Sequence, residues 1–301
     1  MKLLVTGATG LVGKKLVTEL LQQGHIVHYL TSSKAKTQSM ANCKGFYWNI
    51  TTQEIDSRCI EGVDVIVHLA GANIAKRWTN KYKEEIINSR VESAHLLYEL
   101  LCTQRHQVKQ FVSASGTAIY PESIEKSYDE ATDEKEESYL SGVVQRWEAA
   151  ADHFESINIK VCKLRTGVVL DNKEGALPEM ALPIRLGLGA VMGSGAQMQS
   201  WIHIDDLVCL YQFVIQHQLQ GVYNAVSPVP VSQAKLTQAI AKVLHRPLFL
   251  PNIPRFVMDI VLGEMDYLVF SSKNCTSSKI QNAGFVFQYP EIETAIRDLY
   301  A

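Results

Sequence analysis

No segment of this 301-residue sequence approaches the roughly 18 consecutive apolar residues that a membrane-spanning helix needs. The apolar run at the start is three residues long before Thr6, too short for a secretory signal. The six cysteines, Cys43, Cys59, Cys102, Cys162, Cys209 and Cys275, contain no C-x-x-C pair and no metal-ligand spacing. Thiols in a reducing compartment are expected, and no metal centre. The 29 Lys and Arg do not outnumber the 31 Asp and Glu, so no surplus of cations exists to displace counterions from a nucleic acid. These absences lead to an expectation of a cytoplasmic globular protein acting on a small molecule, without a membrane or nucleic-acid partner.

What is present is concentrated at the start. Leu3 to Val5 is apolar and of strand length, and Gly7-x-x-Gly10-x-x-Gly13 follows at once. Val12, Leu16 and Leu20, beside Val17 and Leu21, then mark one stripe of an amphipathic helix. Strand, tight turn and helix are the setting in which spaced glycines bind a dinucleotide. Gly7 permits the turn, Gly10 lets backbone amides approach a pyrophosphate, and Gly13 lets the helix pack closely on the strand. Thr6, Gly7, Thr9, Gly10, Leu11, Val12 and Gly13 are therefore expected to contact the cofactor, with the helix dipole favouring its phosphates.

A second absence concerns which dinucleotide. After the expected second strand, His25 to Leu30, an NAD site usually places Asp or Glu on the ribose hydroxyls. This sequence has Thr31-Ser32-Ser33-Lys34-Ala35-Lys36 instead. Ser32, Ser33 and Lys34 suit a 2′-phosphate, so NADP is preferred to NAD. Asn49 and Ile50, closing a third strand from Phe46, join the expected cofactor contacts. So do Leu69, Ala70 and Gly71, at the carboxyl end of the buried run from Val65.

A helix is expected from about Thr79 to Cys102, and Arg90 interrupts its inward stripe. A charge there must be paired or must face a polar cavity; a structural ion pair and the mouth of a site both satisfy that condition. Gln110 to Ser115 is a fifth strand, Asp129 to Glu137 an acidic solvated loop, and Tyr139 to Ala151 a helix before a strand at Ile159 to Leu164. Alternating strands and helices specify an α/β fold, a Rossmann-like doubly wound parallel sheet with a smaller C-terminal substrate-binding lobe. Residues 1–170, with 203–226 returning, form the dinucleotide domain. Residues 171–202 and 227–301 form the smaller lobe. Gly and Pro between Gly175 and Gly195 suggest loops, a helix and a hairpin, and Asp205 or Asp206 is expected to cap a helix reaching His217.

With these residues in place the chain resembles the extended short-chain dehydrogenase/reductases, and more narrowly the atypical "epimerase family protein" branch. The resemblance rests on Thr6-Gly7-x-x-Gly10-x-x-Gly13, Leu69-Ala70-Gly71, Lys76-Arg77-Trp78, Ser89-Arg90, Trp147-Glu148, Arg165-Thr166-Gly167 and Ser200-Trp201-Ile202-His203. It implies a Ser polarising the substrate, a Tyr moving the proton and a Lys four residues on. Aligned on Tyr120 and Glu148, those positions fall on Gly116, Leu140 and Val144. Tyr139 has Val143 where the Lys would be. Two readings stand: an oxidoreductase or epimerase with displaced groups, or a non-catalytic NADP-binding sensor or assembly protein. In the first, Ser115 contacts substrate, Tyr120 or Tyr139 moves the proton, and Arg90 or Lys76 supplies charge. Basic residues near the strand ends favour an anionic substrate, and a monomer or a homodimer suits either reading.

Overall fold

The computed structural model describes the backbone of residues 1–301 and every side chain except that of Val261. β1 (Lys2–Thr6) runs through the glycine turn into α1 (Leu11–Gln22), and Gly24 follows at φ +77°, the left-handed conformation a glycine adopts without strain after a helix. β2 (Ile26–Thr31), β3 (Cys43–Asn49), the short β4 (Glu54–Ile55) and β5 (Val65–His68) follow. The Thr79 hydroxyl caps α2 (Asn80–Thr103) by accepting the Tyr82 amide at 3.2 Å. After β6 (Gln110–Gly116), Ser138 caps α3 (Tyr139–Asp152) in the same way, and β7 (Lys160–Thr166) completes the alternation.

Eight strands form one sheet. With β11 (Gly221–Ala225) included, its order is β11-β7-β6-β5-β1-β2-β3-β4, and every pairing but β3 with β4 is parallel. Alternating side chains send Leu3, Val5, Val67 and Val112 to one face, and Leu4, Ile66 and Phe111 to the other. The first face packs on α1 and on α5 (Ile204–Gln216), through Leu16, Leu207 and Tyr211. The second packs on α2 and α3 through Leu97, Leu101 and Ala151. Burial on both faces accounts for the near-continuous apolar strands.

The smaller lobe contains β8 (Val168–Leu170), α4 (Ala176–Arg185), β9 (Met198–Gln199), β10 (Trp201–His203), β12 (Val231–Ser232), α6 (Gln233–Val243), α7 (Arg255–Leu262), α8 (Tyr267–Phe270), α9 (Ser278–Asn282) and α10 (Ile292–Leu299). Between Gly175 and Gly195 there is a helix but no hairpin. β8 instead pairs in parallel with β10, and β9 pairs antiparallel with β12. The expected cap of α5 is also corrected: His203 Nδ1 accepts the Asp205 amide at 3.1 Å, which leaves Asp206 free to accept the Gln288 and Tyr289 amides. The acidic run is not wholly solvated. Glu130 accepts the Asn224 amide of β11 at 2.6 Å, and Glu136 accepts from the buried Lys273 ammonium at 3.0 Å, tying this loop to the large sheet and to the smaller lobe.

At the junction of β7 and β8 the two parts of the chain come closest. A Cβ on Gly167 would lie 2.2 Å from the Ser200 carbonyl oxygen, and neither backbone can yield. Gly167→Ala should therefore destabilise by on the order of 1–3 kcal/mol. Gly142, inside α3 with nothing within 4 Å of its Cβ position, is the opposite case. Gly142→Ala should raise stability by about 0.5–1 kcal/mol. Denaturant unfolding of both variants checks the pair; a harmless Gly167→Ala would overturn the contact argument.

Candidate active site

The strand order reverses between β1 and β5, so connections leave their carboxyl ends in opposite directions and open a crevice there. Gly7 adopts φ +66°, and the Gly10 amide donates to its carbonyl at 2.9 Å. A Cβ on Gly7 would meet the Leu69 carbonyl oxygen at 2.7 Å, and one on Gly13 would meet the Gly7 oxygen at 2.2 Å. Gly10 differs, because its nearest obstacle is 3.3 Å away and its outer side is open. It is the N-cap of α1, with no side-chain cap and no acidic residue in the first turn. The amides of Leu11, Val12 and Gly13 thus face the crevice as anion donors beside Thr9.

One hydroxyl joins the two central strands. Thr6 Oγ1 accepts the Leu69 and Ala70 amides, both at 3.0 Å, so its own proton goes to His68 Nδ1 at 3.0 Å. Nδ1 is then an acceptor and Nε2 carries the hydrogen, within 3.1 Å of Ser93 Oγ on α2. Ser93 passes its proton to the Ser89 carbonyl at 2.7 Å. His68 is fully buried and holds no charge: burial, aided by the nearby Arg90, drops its pKa to about 4.

Arg90 reaches the same crevice. Nη1 donates to the Ile86 carbonyl at 2.9 Å, and Nη1 and Nη2 to the Ala72 carbonyl at 3.3 Å. The guanidinium centre lies 4.9 Å from the Trp147 ring, and a Cβ on Gly71 would be 2.8 Å from it. Ser89 holds Ala72 from the other side, accepting its amide at 2.8 Å. No carboxylate pairs with Arg90 among the described residues, which removes the structural ion pair expected as one alternative. Burial, opposed only weakly by Tyr139 and Tyr82, lowers its pKa to about 10, so the cation persists at neutral pH beside the crevice. Its remaining N–H groups are available to an anion.

At the end of β2, Ser32 and Lys34 are exposed and Ser33 half-buried, and residues 31–40 contain no Asp or Glu. The Lys34 ammonium lies 4.9 Å from the Tyr47 ring. Asn49 accepts the Thr51 and Thr52 amides at 2.9 and 3.3 Å, a turn that fixes Ile50 against the α2-side core.

The expected catalytic residues separate. Ser115 is buried and donates to Glu148 Oε1 at 2.6 Å. Arg165 grips that carboxylate with Nε and Nη2, both at 2.8 Å, and donates through Nη1 to the Tyr120 hydroxyl at 2.9 Å. Tyr120, 1% exposed, donates to Asn224 Oδ1 at 2.8 Å. Ser115, expected to contact substrate, and Tyr120, expected to move the proton, are thus both members of a buried ionic network. Burial raises the Tyr120 pKa far more than Arg165 lowers it, which disqualifies the phenol as a base at neutral pH. Desolvation also pulls the Glu148 carboxyl upward, but the bonds and charge of Arg165 prevail and leave it below the ordinary range. Sequence reasoning placed Glu148 and Arg165 only in motifs; their signal was a charged residue on the inward stripe of α3 and another on a buried strand.

Tyr139 remains at the crevice, its hydroxyl donating to the Lys83 carbonyl at 2.7 Å. Burial raises its pKa and Arg90 opposes the shift. Leu140 and Val144 are buried, and the Cβ position of Gly116 is 3.4 Å from Val144 Cγ2. The three positions where the resemblance puts Ser, Tyr and Lys thus make an apolar surface.

Residues 3–225 match the NAD dependent epimerase/dehydratase family, and residues 253–299 match a domain of unknown function (DUF1731). This chain belongs to that epimerase/dehydratase family. An "Epimerase family protein" of Staphylococcus aureus (strain MRSA252) is 34% identical over 98% of both chains, and Bacillus subtilis YfhF is 33% identical over 100% of this chain and 98% of its own. The crystal structure of human epimerase family protein SDR39U1 with NADPH superposes with a TM-score of 0.87 at 29% identity, covering 100% and 99% of the two chains. The UDP-glucose 4-epimerase of Thermus thermophilus, solved with NAD, shares the fold at 18% identity, a TM-score of 0.76 and 100% and 99% coverage. A nicotinamide dinucleotide fits the open Gly10 turn, the uncapped helix and the small Leu69-Ala70-Gly71 segment.

His68 links this geometry to pH. An unfolded histidine titrates near 6.5 and the folded one near 4, so between these values the unfolded chain binds a proton that the folded chain refuses. The contribution is complete above pH 6.5 and declines as pH falls toward 4, by on the order of 3 kcal/mol. Unfolding free energies measured across that window should fall more steeply for the wild type than for His68→Gln. Parallel slopes would sink the assignment.

Proposed function

We propose that this protein binds NADP(H) in preference to NAD(H) and uses it as an oxidoreductase or epimerase on a small molecule that is anionic or acquires negative charge in the reaction. The observation that carries the proposal is the unpaired Arg90 guanidinium against Gly71, in the crevice onto which the uncapped α1 N-terminus opens. A half-buried cation without a carboxylate is costly to fold, and a phosphate or substrate anion would complete it. Thr6 to Gly13 and Leu69 to Gly71 would hold the dinucleotide, and the exposed Ser32 and Lys34 would take a 2′-phosphate. The solved human relative, 29% identical and bound to NADPH, supports the choice of cofactor. When bound, the nicotinamide supplies hydride chemistry. The chain's own part is to hold it, exclude water with the smaller lobe and present Arg90 to developing negative charge.

The apolar Gly116, Leu140 and Val144 surface favours a second reading, an NADP-binding sensor or assembly protein without turnover. Oxidation of NADPH in the presence of a broad panel of carbonyl and nucleotide-sugar compounds separates the two. Complete silence with tight NADPH binding would support the sensor.

Cofactor choice has its own test. Titration of intrinsic fluorescence should show NADPH binding at least about tenfold tighter than NADH, a gap of some 1.4 kcal/mol. Lys34→Glu should erase most of that gap while leaving NADH affinity nearly unchanged. Tighter binding of NADH by the wild type would overturn the preference. Arg90→Ala should weaken an anionic ligand by on the order of tenfold or more, whereas unchanged binding would show that Arg90 serves only the Ala72 loop.

A further inference from the structure

A cavity of about 170 Å³ opens where the smaller lobe meets α3, lined by Trp78, Ser138, Tyr139, Leu140, Glu264 and Tyr267. Its walls are aromatic. Trp78 and Tyr139 meet edge to face with centroids 5.3 Å apart, and the Trp78 indole is anchored by a 2.8 Å bond to the Ile74 carbonyl. Tyr267 and Leu268 of α8 pack against the cluster formed by Ile86, Leu140 and Val143. The polar groups are few and mostly committed. Glu264 is paired with Lys83, and the Tyr139 hydroxyl donates to a carbonyl.

One hydroxyl is left poised. Ser138 Oγ accepts the Ser141 amide as the cap of α3 and donates its own proton to the Tyr267 hydroxyl at 3.4 Å. The Tyr267 phenol accepts there and, among the described residues, has no acceptor for its own proton. It can donate to an oxygen of something bound in the cavity.

Two chemical facts narrow what that is. A cavity of about 150 Å³ lined by apolar side chains is large enough for one benzene ring, so this one admits a single substituted ring. Oxidation of a sugar hydroxyl needs a base to remove its proton as hydride leaves the carbon, and Leu140 and Val144 stand where that base and its supporting cation would be. A quinoid ring needs no such base. Hydride from a reduced nicotinamide breaks its C–H bond and delivers an electron pair and a proton to the ring. The quinone becomes the hydroquinone monoanion, whose charge is delocalised over its own conjugated oxygens, and the dinucleotide is left oxidised. Water then supplies the second proton.

From this geometry we propose that the cavity is a binding site for a small aromatic carbonyl ring, of the quinone class, held by Trp78, Tyr139 and Leu140 and hydrogen-bonded by Tyr267. The hydride step rests on the NADP(H) reading above, but occupation of the cavity does not. The probe is tetramethyl-1,4-benzoquinone, whose fully substituted ring cannot add the exposed Cys102 thiol, with UDP-glucose as the contrasting ligand. Equilibrium dialysis against the protein without cofactor should retain the quinone and not UDP-glucose. Leu140→Tyr, which fills the cavity, should weaken retention about tenfold, and Tyr267→Phe about threefold, corresponding to one lost hydrogen bond. NADPH binding, measured separately by fluorescence, should be unchanged in both variants. Failure to retain the quinone, preferential retention of UDP-glucose, or full retention by a folded Leu140→Tyr variant would each overturn the site. Quinone retention without NADPH binding would overturn only the cofactor reading.

Discussion

The Thr6 hydroxyl is the point on which the crevice depends. It occupies the end of β1 where the strand order reverses, and it holds the backbone of the neighbouring strand through two amides of Leu69 and Ala70. No backbone ladder could do this, because β5 ends at His68 and those amides lie beyond it. Using both acceptor directions forces the hydroxyl proton onto His68, which fixes the imidazole tautomer and turns its N–H toward Ser93 and α2. A single side chain therefore ties together the ends of the two central strands and, through His68 and Ser93, links them to the helix that carries Arg90. A charged imidazole would have two donors and no acceptor for Thr6, so the burial that keeps His68 neutral also keeps the crevice in shape.

The two buried guanidinium groups show how opposite partners lead to opposite roles. Arg165 has the Glu148 carboxylate in a two-pronged grip and Tyr120 beside it. Breaking such a pair leaves an uncompensated buried charge, so the network fixes α3 against β7 and makes both residues structural. Arg90 has only carbonyl oxygens and an indole face. Carbonyl dipoles and a ring quadrupole stabilise a cation without neutralising it. The charge remains available, and the part of the crevice that it faces is positive although the chain carries a net charge of −2.

Legibility in the sequence followed the separation of the partners. The Gly7 to Gly13 turn is local, so its spacing carried both its conformation and its open side. The parallel sheet was readable from apolar strands that lacked alternation. Contacts between distant segments were not. The Tyr120 hydroxyl is satisfied by Asn224, 104 residues away, and nothing near Tyr120 distinguishes a phenol engaged in the core from one facing a ligand. Ser115 presented the same ambiguity, since strand alternation gives two faces but does not say which one meets Glu148. His203 was overlooked as a cap because an imidazole accepts an amide only in one tautomer, which the three-dimensional surroundings decide.

The cofactor cradle and the opposite side of the crevice are physically separable. The cradle is built from backbone: Gly7 and Gly13 approach other main-chain atoms so closely that no side chain fits, and the α1 amides point outward whatever lies across the crevice. On β6 and α3, Gly116, Leu140 and Val144 stand at the positions where the resemblance puts polar groups, and β6 keeps its pairings with β5 and β7. Apolar residues there remove the desolvation cost that a buried Lys would impose and allow α8 to close over them with Tyr267 and Leu268. The same closure makes the site drier and more aromatic. Side chains at these positions can thus vary while the dinucleotide turn and its α1 helix stay intact.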